Sequence, residues 1–330
     1  MQFNQLRRRE FIALLGGAAI LPVDARAQQA VNPPVIGFLG SGTPSVQSRW
    51  TAAFVQRLQE LGWTDGRNIA IEYRWAEGRT ERFAEIAAEF VKLKVDVIVT
   101  HNTPPLLAAK QATSTIPIVF ATASDPVSTG VVASLARPGG NVTGLSSQGP
   151  DTAGKRIELL REVVPDLRRL AILANVSNPY VRLALNEVQD AVRHFGLEST
   201  TFDIRRAEDI VPAFDRLEGR VDALYVAADP LLFSNRMSIS NLALKTRLPT
   251  MHTVREYVEA GGLMSYGPSW EDMWQRAAHY VDKILRGAKP VDLPVEQPTK
   301  FEFIINLRLA KALGVVFSPT VLARADEVME

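Results

Sequence analysis

The sequence predicts an α/β fold of two doubly wound parallel-sheet units in tandem. Three observations predict it. Short β-branched apolar runs alternate with longer segments whose apolar residues recur at helical spacing. The apolar runs are continuous rather than alternating, as in a parallel sheet covered on both faces. The whole pattern restarts near residues 145–150.

In the first unit, Val35 to Leu39 reads as a strand. Ser45 to Leu61 reads as a helix, with Trp50, Phe54, Leu58 and Leu61 on one face and Gly62 as its stop. Strands at Ile69–Tyr73, Val95–Thr100 and Ile118–Phe120 alternate with helices at Arg79–Lys92, Pro105–Ala112 and Val127–Leu135. The turn Gly139-Gly140-Asn141 leads into a strand at Val142–Leu145.

The second unit opens with a helix at Lys155–Val164, ended by Pro165. Strands follow at Arg169–Ala174, Leu197–Phe202, Val221–Val226, Pro249–Met251 and Gly262–Tyr266. Helices separate them at Tyr180–Phe195, Ile210–Leu217, Ser234–Thr246 and Val254–Ala260. The tail holds a long helix, Ser269–Arg286, a strand, Phe301–Ile305, and a helix, Leu307–Leu313. It is too long for two simple consecutive domains, and a tail that crosses back to the first unit explains it better.

Residues 1–27 stand apart from this pattern. Arg7-Arg8-Arg9 precede an apolar run, Phe11 to Leu21, and the small-residue stretch Ala25-Arg26-Ala27. That order reads as a bacterial export signal of twin-arginine style, cleaved near Ala27. The apolar run is shorter than the roughly 20 residues that a membrane span needs. No cysteine follows the small residues, so the expected product is a periplasmic protein without a lipid anchor. Outside the cytoplasm there is no ATP or NAD(P)H pool, which weakens most enzyme readings.

Composition narrows the field further. About 300 residues remain after the leader, a size that tends to split into two domains. The net charge of +1 includes +2 from the leader, where four arginines face two acids. The remainder is near neutral, which argues against a nucleic-acid or anionic-membrane partner. No further long apolar stretch predicts membrane insertion. The absence of cysteine removes disulfides, thiolate catalysis and thiolate metal sites together.

Open parallel sheets bind ligands beyond the carboxyl ends of their strands. The loops expected there are Gly40 to Ser45, His101 to Pro104 and Ala123 to Pro126 in the first unit. In the second they are Asn175 to Tyr180, Ala227 to Pro230, His252 to Glu256 and Ser265 to Ser269. Nearly all carry small hydroxyl or amide residues at a helix start. Each is first a helix cap, worth about 1 kcal/mol. Such loops also offer side-chain oxygens and free backbone N–H groups at the positive end of a helix dipole, which suits a carboxylate.

Enzyme signatures are missing. There is no phosphate-binding G-x-x-x-x-G-K-[ST] loop and no G-x-G-x-x-G after the first strand. Neither Ser41 nor Ser265 sits in a G-x-S-x-G elbow. His101, His194, His252 and His279 lack metal-ligand spacing; His194 falls mid-helix, while His101 and His252 fall at strand ends. Asp125 and Asp229 suggest an acid/base pair, but both precede proline, a common turn start. No catalytic set, no metal site and no cofactor is expected.

Several segments together are distinctive. They are the leader from Arg8 to Gln29; Asp125-Pro126-Val127; Ser134 to Gly144; Ala228-Asp229-Pro230-Leu231; and Arg255 to Gly267. On these the chain resembles ABC-transporter substrate-binding proteins of the type I periplasmic binding fold, in the TrpX-like group. The resemblance implies two lobes joined by a three-strand hinge, with crossings near residues 146–149, 264–268 and 293–300. It implies one lobe of residues 32–147 plus 268–293 and another of residues 148–267 plus 294–330. It implies a small-molecule ligand, with a permease and an ATPase as separate chains. Its ligand-lining loops carry over to Ser41, Thr43, Asn102, Thr103, Ser124 and Asp125 in the first lobe. In the second they carry over to Asn178, Tyr180, Asp229, Arg255 and Glu256.

The expected function is solute capture for an ABC importer by a monomeric periplasmic protein, with an amino acid or related carboxylate as ligand. First-lobe hydroxyls would hold the carboxylate, Asp229 or Asp125 an ammonium group, and Tyr180 an apolar side chain. Two alternatives share the scaffold: a periplasmic sensor that feeds a signalling receptor, and a two-lobe isomerase-type enzyme. The cysteine pair familiar in two-lobe racemases is missing.

Overall fold

A computed structural model of the chain describes residues 33–148 and 152–330. The predicted leader, residues 1–27, lies outside the described residues. So does residue 149, at the end of the first expected hinge crossing.

Five of the apolar runs form one sheet: β1 Val35–Gly40, β2 Ala70–Trp75, β3 Val97–Thr100, β4 Ile118–Ala123 and β5 Val142–Ser146. Their order is β2-β1-β3-β4-β5, and every neighbouring pair is parallel. Helices α1 Ser48–Glu60, α2 Arg82–Leu93 and α3 Thr103–Ala112 connect them. β3, β4 and β5 are buried along their whole length, as strands covered on both faces must be.

The second sheet has seven strands in the order β12-β11-β10-β9-β8-β6-β7. These are β6 Arg169–Ala174, β7 Glu198–Asp203, β8 Ala223–Val226, β9 Thr250–His252, β10 Met264–Pro268, β11 Phe301–Asn306 and β12 Glu327–Met329. Helix α4 Ala153–Val163 precedes them, and between them come α5 Pro179–His194, α6 Ile210–Leu217, α7 Pro230–Ser234, α8 Arg236–Lys245 and α9 Arg255–Glu259. β11 runs antiparallel to β10, the one exception to parallel pairing among the described strands.

The late segments return to the first sheet. Helix α10, Trp270–Leu285, buries Met273, Trp274, Ala277, Ala278 and Val281. Trp274 stacks on Phe38 of β1 with ring centroids 5.3 Å apart. Beyond it, Glu296 bridges to Leu145, and Ser146 N–H donates to the Glu296 carbonyl at 2.8 Å. The chain then enters β11 of the other sheet, followed by α11 Leu307–Leu313 and α12 Pro319–Leu322. Thus the tail does cross back, and the α/β class with two lobes is the one observed.

Two expected helices differ. Val127–Leu135 is a series of turns. Gly130 takes φ +70 there, and Val131 and Val132 are β-branched, so a nine-residue helix has little to hold it. The expected helix Ser234–Thr246 is two helices, α7 and α8, which meet at Asn235. Asp229 caps α7 and Pro230 fills its first turn, so the helix starts four residues early. His194 ends α5 rather than sitting mid-helix. The final strand β12 and α12 carried no periodicity strong enough to predict.

Candidate ligand-binding site

The loops at the carboxyl ends of β1, β3 and β4 face those after β6, β8 and β9. On the five-stranded side, a buried polar cluster follows β1. The Gln47 side-chain N–H donates to Ser41 Oγ at 3.1 Å and to His101 Nε2 at 2.7 Å; Ser41 Oγ lies 3.0 Å from the same ring nitrogen. Burial pushes His101 down to about 3, so the ring is neutral. His101 Nδ1 and Gln47 Oε1 are buried and lack hydrogen-bond partners among the described residues.

The other predicted residues of this side ring the same rim. Thr43 Oγ1 accepts from Val46 N–H and contacts Ser45 Oγ at 3.1 Å. Asn102 holds φ +64, which aims its N–H at the Thr122 carbonyl and starts α3 at the buried Thr103. Asp125 Oδ1 accepts from Ser128 N–H, so this carboxylate caps its own turn. Ser124 Oγ accepts from Ser147 at 3.2 Å, and Ser124 lines the same small cavity as Tyr180 of the other sheet.

On the seven-stranded side, Asp229 is buried and collects four donors. Asn178 and Asn175 donate to Oδ2 at 2.9 and 3.2 Å, while Leu231 and Leu232 N–H donate to Oδ1 at 2.8 and 3.4 Å. Burial pushes this acid up, and the four donors pull it back. Asn178 Oδ1 in turn accepts from Tyr180 N–H and caps α5. Burial holds the Tyr180 phenol near 12.

Glu256 and Arg255, adjacent in sequence, part company. Arg255 is taken up by ion pairs with Glu259, Glu327 and Glu302, at 3.0, 2.7 and 3.9 Å. Glu256 turns to the seam, where its Oε1 accepts from the Trp50 indole N–H of α1 at 2.5 Å. Burial pushes Glu256 up to about 7.

Sequence reasoning missed the residues between these polar groups. Trp50 packs on Trp270 and Phe233 with centroids 4.6 and 5.0 Å apart, and His101 lies 5.4 Å from Trp274. Trp50 had a ready explanation as a core residue on a helix face. The usable signal was position: Trp50, Phe233 and Trp270 each fall in or next to the first helical turn after a strand's carboxyl end. Arg156 was missed as well. It is buried, and donates to the Tyr266 carbonyl at 2.7 Å and the Tyr225 hydroxyl at 3.1 Å. Nearby, Gly267 leaves room for the Thr253 carbonyl, from which a Cβ would stand 2.0 Å.

A cavity of about 20 Å³ lies between Ser124, Ser147, Arg156, Tyr180, Thr253 and Trp270. At the rim, a larger recess of about 580 Å³ opens between Thr43, Gly78 and Thr80 on one side and Arg206, Ser234 and Asn235 on the other. Among the described residues, no group of three or more histidines and acids is placed to hold a metal ion.

The model of a family described as ABC transporter substrate binding protein matches residues 45–329. The chain belongs to this family, whose members are ligand-binding transport proteins. It is 30% identical over 262 residues to a tyrosine-binding protein of Clostridioides difficile, spanning 79% of this chain and 75% of that one. Among solved structures, a Streptococcus pneumonia domain in complex with L-Trp superposes with a TM-score of 0.85 at 26% identity, covering 90% of this chain and 100% of that one. A ligand-free, open substrate-binding protein with adhesive properties from Clostridium difficile gives 0.65, also at 26% identity, covering 90% and 99%. Identity and coverage are matched, so the contrast is one of shape: this chain's arrangement is nearer to the L-Trp complex.

Proposed function

We propose that this chain is the periplasmic solute receptor of an ABC importer and that it captures an aromatic amino acid between its two lobes. The observation that carries the reading is the seam itself, where rim hydroxyls and amides of both sheets surround Trp50, Phe233 and Trp270. An aromatic side chain suits that apolar wall by edge-to-face and offset packing. Ser41, Thr43, Asn102, Thr103 and Ser124 offer the ligand carboxylate hydroxyls and helix N-termini. Asp125, Asn178, Tyr180, Asp229 and Glu256 complete the lining, with Arg255 bracing α9 from outside.

Two relatives above 25% identity are named for such a ligand and support this class, one for tyrosine and one for tryptophan. In this reading the lobes are residues 32–147 plus 268–293 and residues 148–267 plus 294–330, hinged at three crossings. Residues 1–27 are the export signal. The receptor acts as a monomer, delivers its solute to a permease and an ATPase made as separate chains, and catalyses no reaction. Calorimetry of the protein against L-tyrosine, L-tryptophan and the other amino acids tests it. Micromolar or tighter binding of an aromatic amino acid is expected; no binding across the whole panel would sink the reading.

A further inference from the structure

We propose that Glu256 makes closure of the two lobes, and with it solute capture, depend on a proton: the lobes close on neutral Glu256 and open as it ionises. The proposal rests on the receptor reading above and names a regulation of that same site.

Glu256 is 7% exposed and comes from the seven-stranded lobe, yet its one side-chain partner, Trp50, belongs to the other. Its second oxygen, Oε2, is buried without a hydrogen-bond partner among the described residues. Its partner Trp50 packs on Phe233, which stands edge-on to Tyr257, the next residue in the chain, at 5.8 Å. A carboxylate in such surroundings, with one side-chain donor and its own backbone N–H, is poorly solvated, so its neutral form is favoured.

The charged groups nearby do not restore the balance. On α1, Arg49 is shared between Glu259 and Glu271 at 3.0 and 2.8 Å. It pulls Glu256 weakly toward the charged form, while Glu259 of the same helix pushes the other way. Arg255 is taken by Glu259, Glu327 and Glu302. On α8, Arg236 lies over the Phe233 ring at 4.7 Å, and Lys245 sits in the last turn at the far end of that helix. Asp229 is enclosed by its own donors, and burial keeps His252 of β9 neutral. Burial accordingly pushes Glu256 from the usual 4.5 up to about 7.

The sign follows. Opening exposes the group and returns it to the usual carboxylate range. The favourable contribution to closure is complete below the open-state value and is lost as pH rises through about 7. One linked proton changes the binding constant by at most tenfold per pH unit, so binding should be about tenfold tighter at pH 6 than at pH 8.

Calorimetry with L-tyrosine and L-tryptophan between pH 6 and pH 8 tests this on the parent protein and on Glu256→Gln, which cannot ionise. The parent should lose affinity as pH rises, and E256Q should be flat. A flat parent, or an E256Q that keeps the parent's slope, overturns the proposal. If E256Q fails to fold, Trp50→Phe replaces it. Losing the indole donor disfavours the carboxylate, so the pH midpoint should move upward; a downward move overturns the proposal. Small-angle scattering of the ligand-free protein is the arm that separates the two readings. The parent should be more compact at pH 6 than at pH 8 even if neither amino acid binds, and identical profiles count against the linkage itself.

Discussion

Asp229 and Glu256 are both buried acids of the seven-stranded lobe, and they are held in opposite ways. Asp229, 6% exposed, collects two side-chain amides and two backbone N–H groups, all from its own lobe. Glu256 has, besides its own backbone N–H, a single side-chain donor, the indole supplied by the other lobe. The first is a structural joint that ties the β6 loop to the start of α7. The second is a contact that exists only while the lobes are together. Burial raises both acids, but the donor count decides which can stay charged at little cost.

An amide substitution separates the two sharply. In Asp229→Asn the new NH2 must face either the Asn175 and Asn178 amides or the α7 backbone donors, so one donor pair is orphaned. We expect a loss of about 3 kcal/mol in denaturant unfolding, the range for a broken buried network. A loss below about 1 kcal/mol would mean that the cap alone holds the loop. Trp50→Phe acts on the other acid. It keeps most of the ring packing on Trp270 and Phe233 but removes the one side-chain donor to Glu256. About 1.5 kcal/mol is expected, since a buried acid that loses a donor can remain protonated.

These differences bear on what could be read in advance. Asp229-Pro230 and Asp125-Pro126 look alike in sequence. One is buried and starts a helix; the other caps an exposed turn that Gly130 keeps from becoming a helix. The strands and most helices were legible because their apolar spacing is local and burial enforces it. The crossing of the tail was legible only as surplus length. The aromatic seam was not legible, because a tryptophan on a helix face serves a lobe's own core and a facing lobe equally well. Only the placement of α9 against α1 distinguishes the two roles for Trp50. Likewise Arg255 and Glu256 are neighbours in the chain, yet the helix sends one to an ion-pair cluster and the other to the seam.

The smallest effect should come from the residue next to Trp50. Arg49 makes the same α1-to-α9 contact through Glu259, and it also reaches Glu271. Its side chain is 43% exposed, and those of its partners 39% and 41%, so solvent and salt screen both pairs. Exposed pairs of this kind contribute about 0.5 kcal/mol, and we expect Arg49→Ala to lose no more than that in thermal or denaturant unfolding. The loss should shrink further in 0.5 M salt, roughly the range where exposed pairs are largely screened. If Arg49→Ala instead matched Trp50→Phe, the seam would be held by its charged rim. The contrast between a donor-rich joint and a donor-poor seam would then have to be redrawn around Glu259 rather than Glu256.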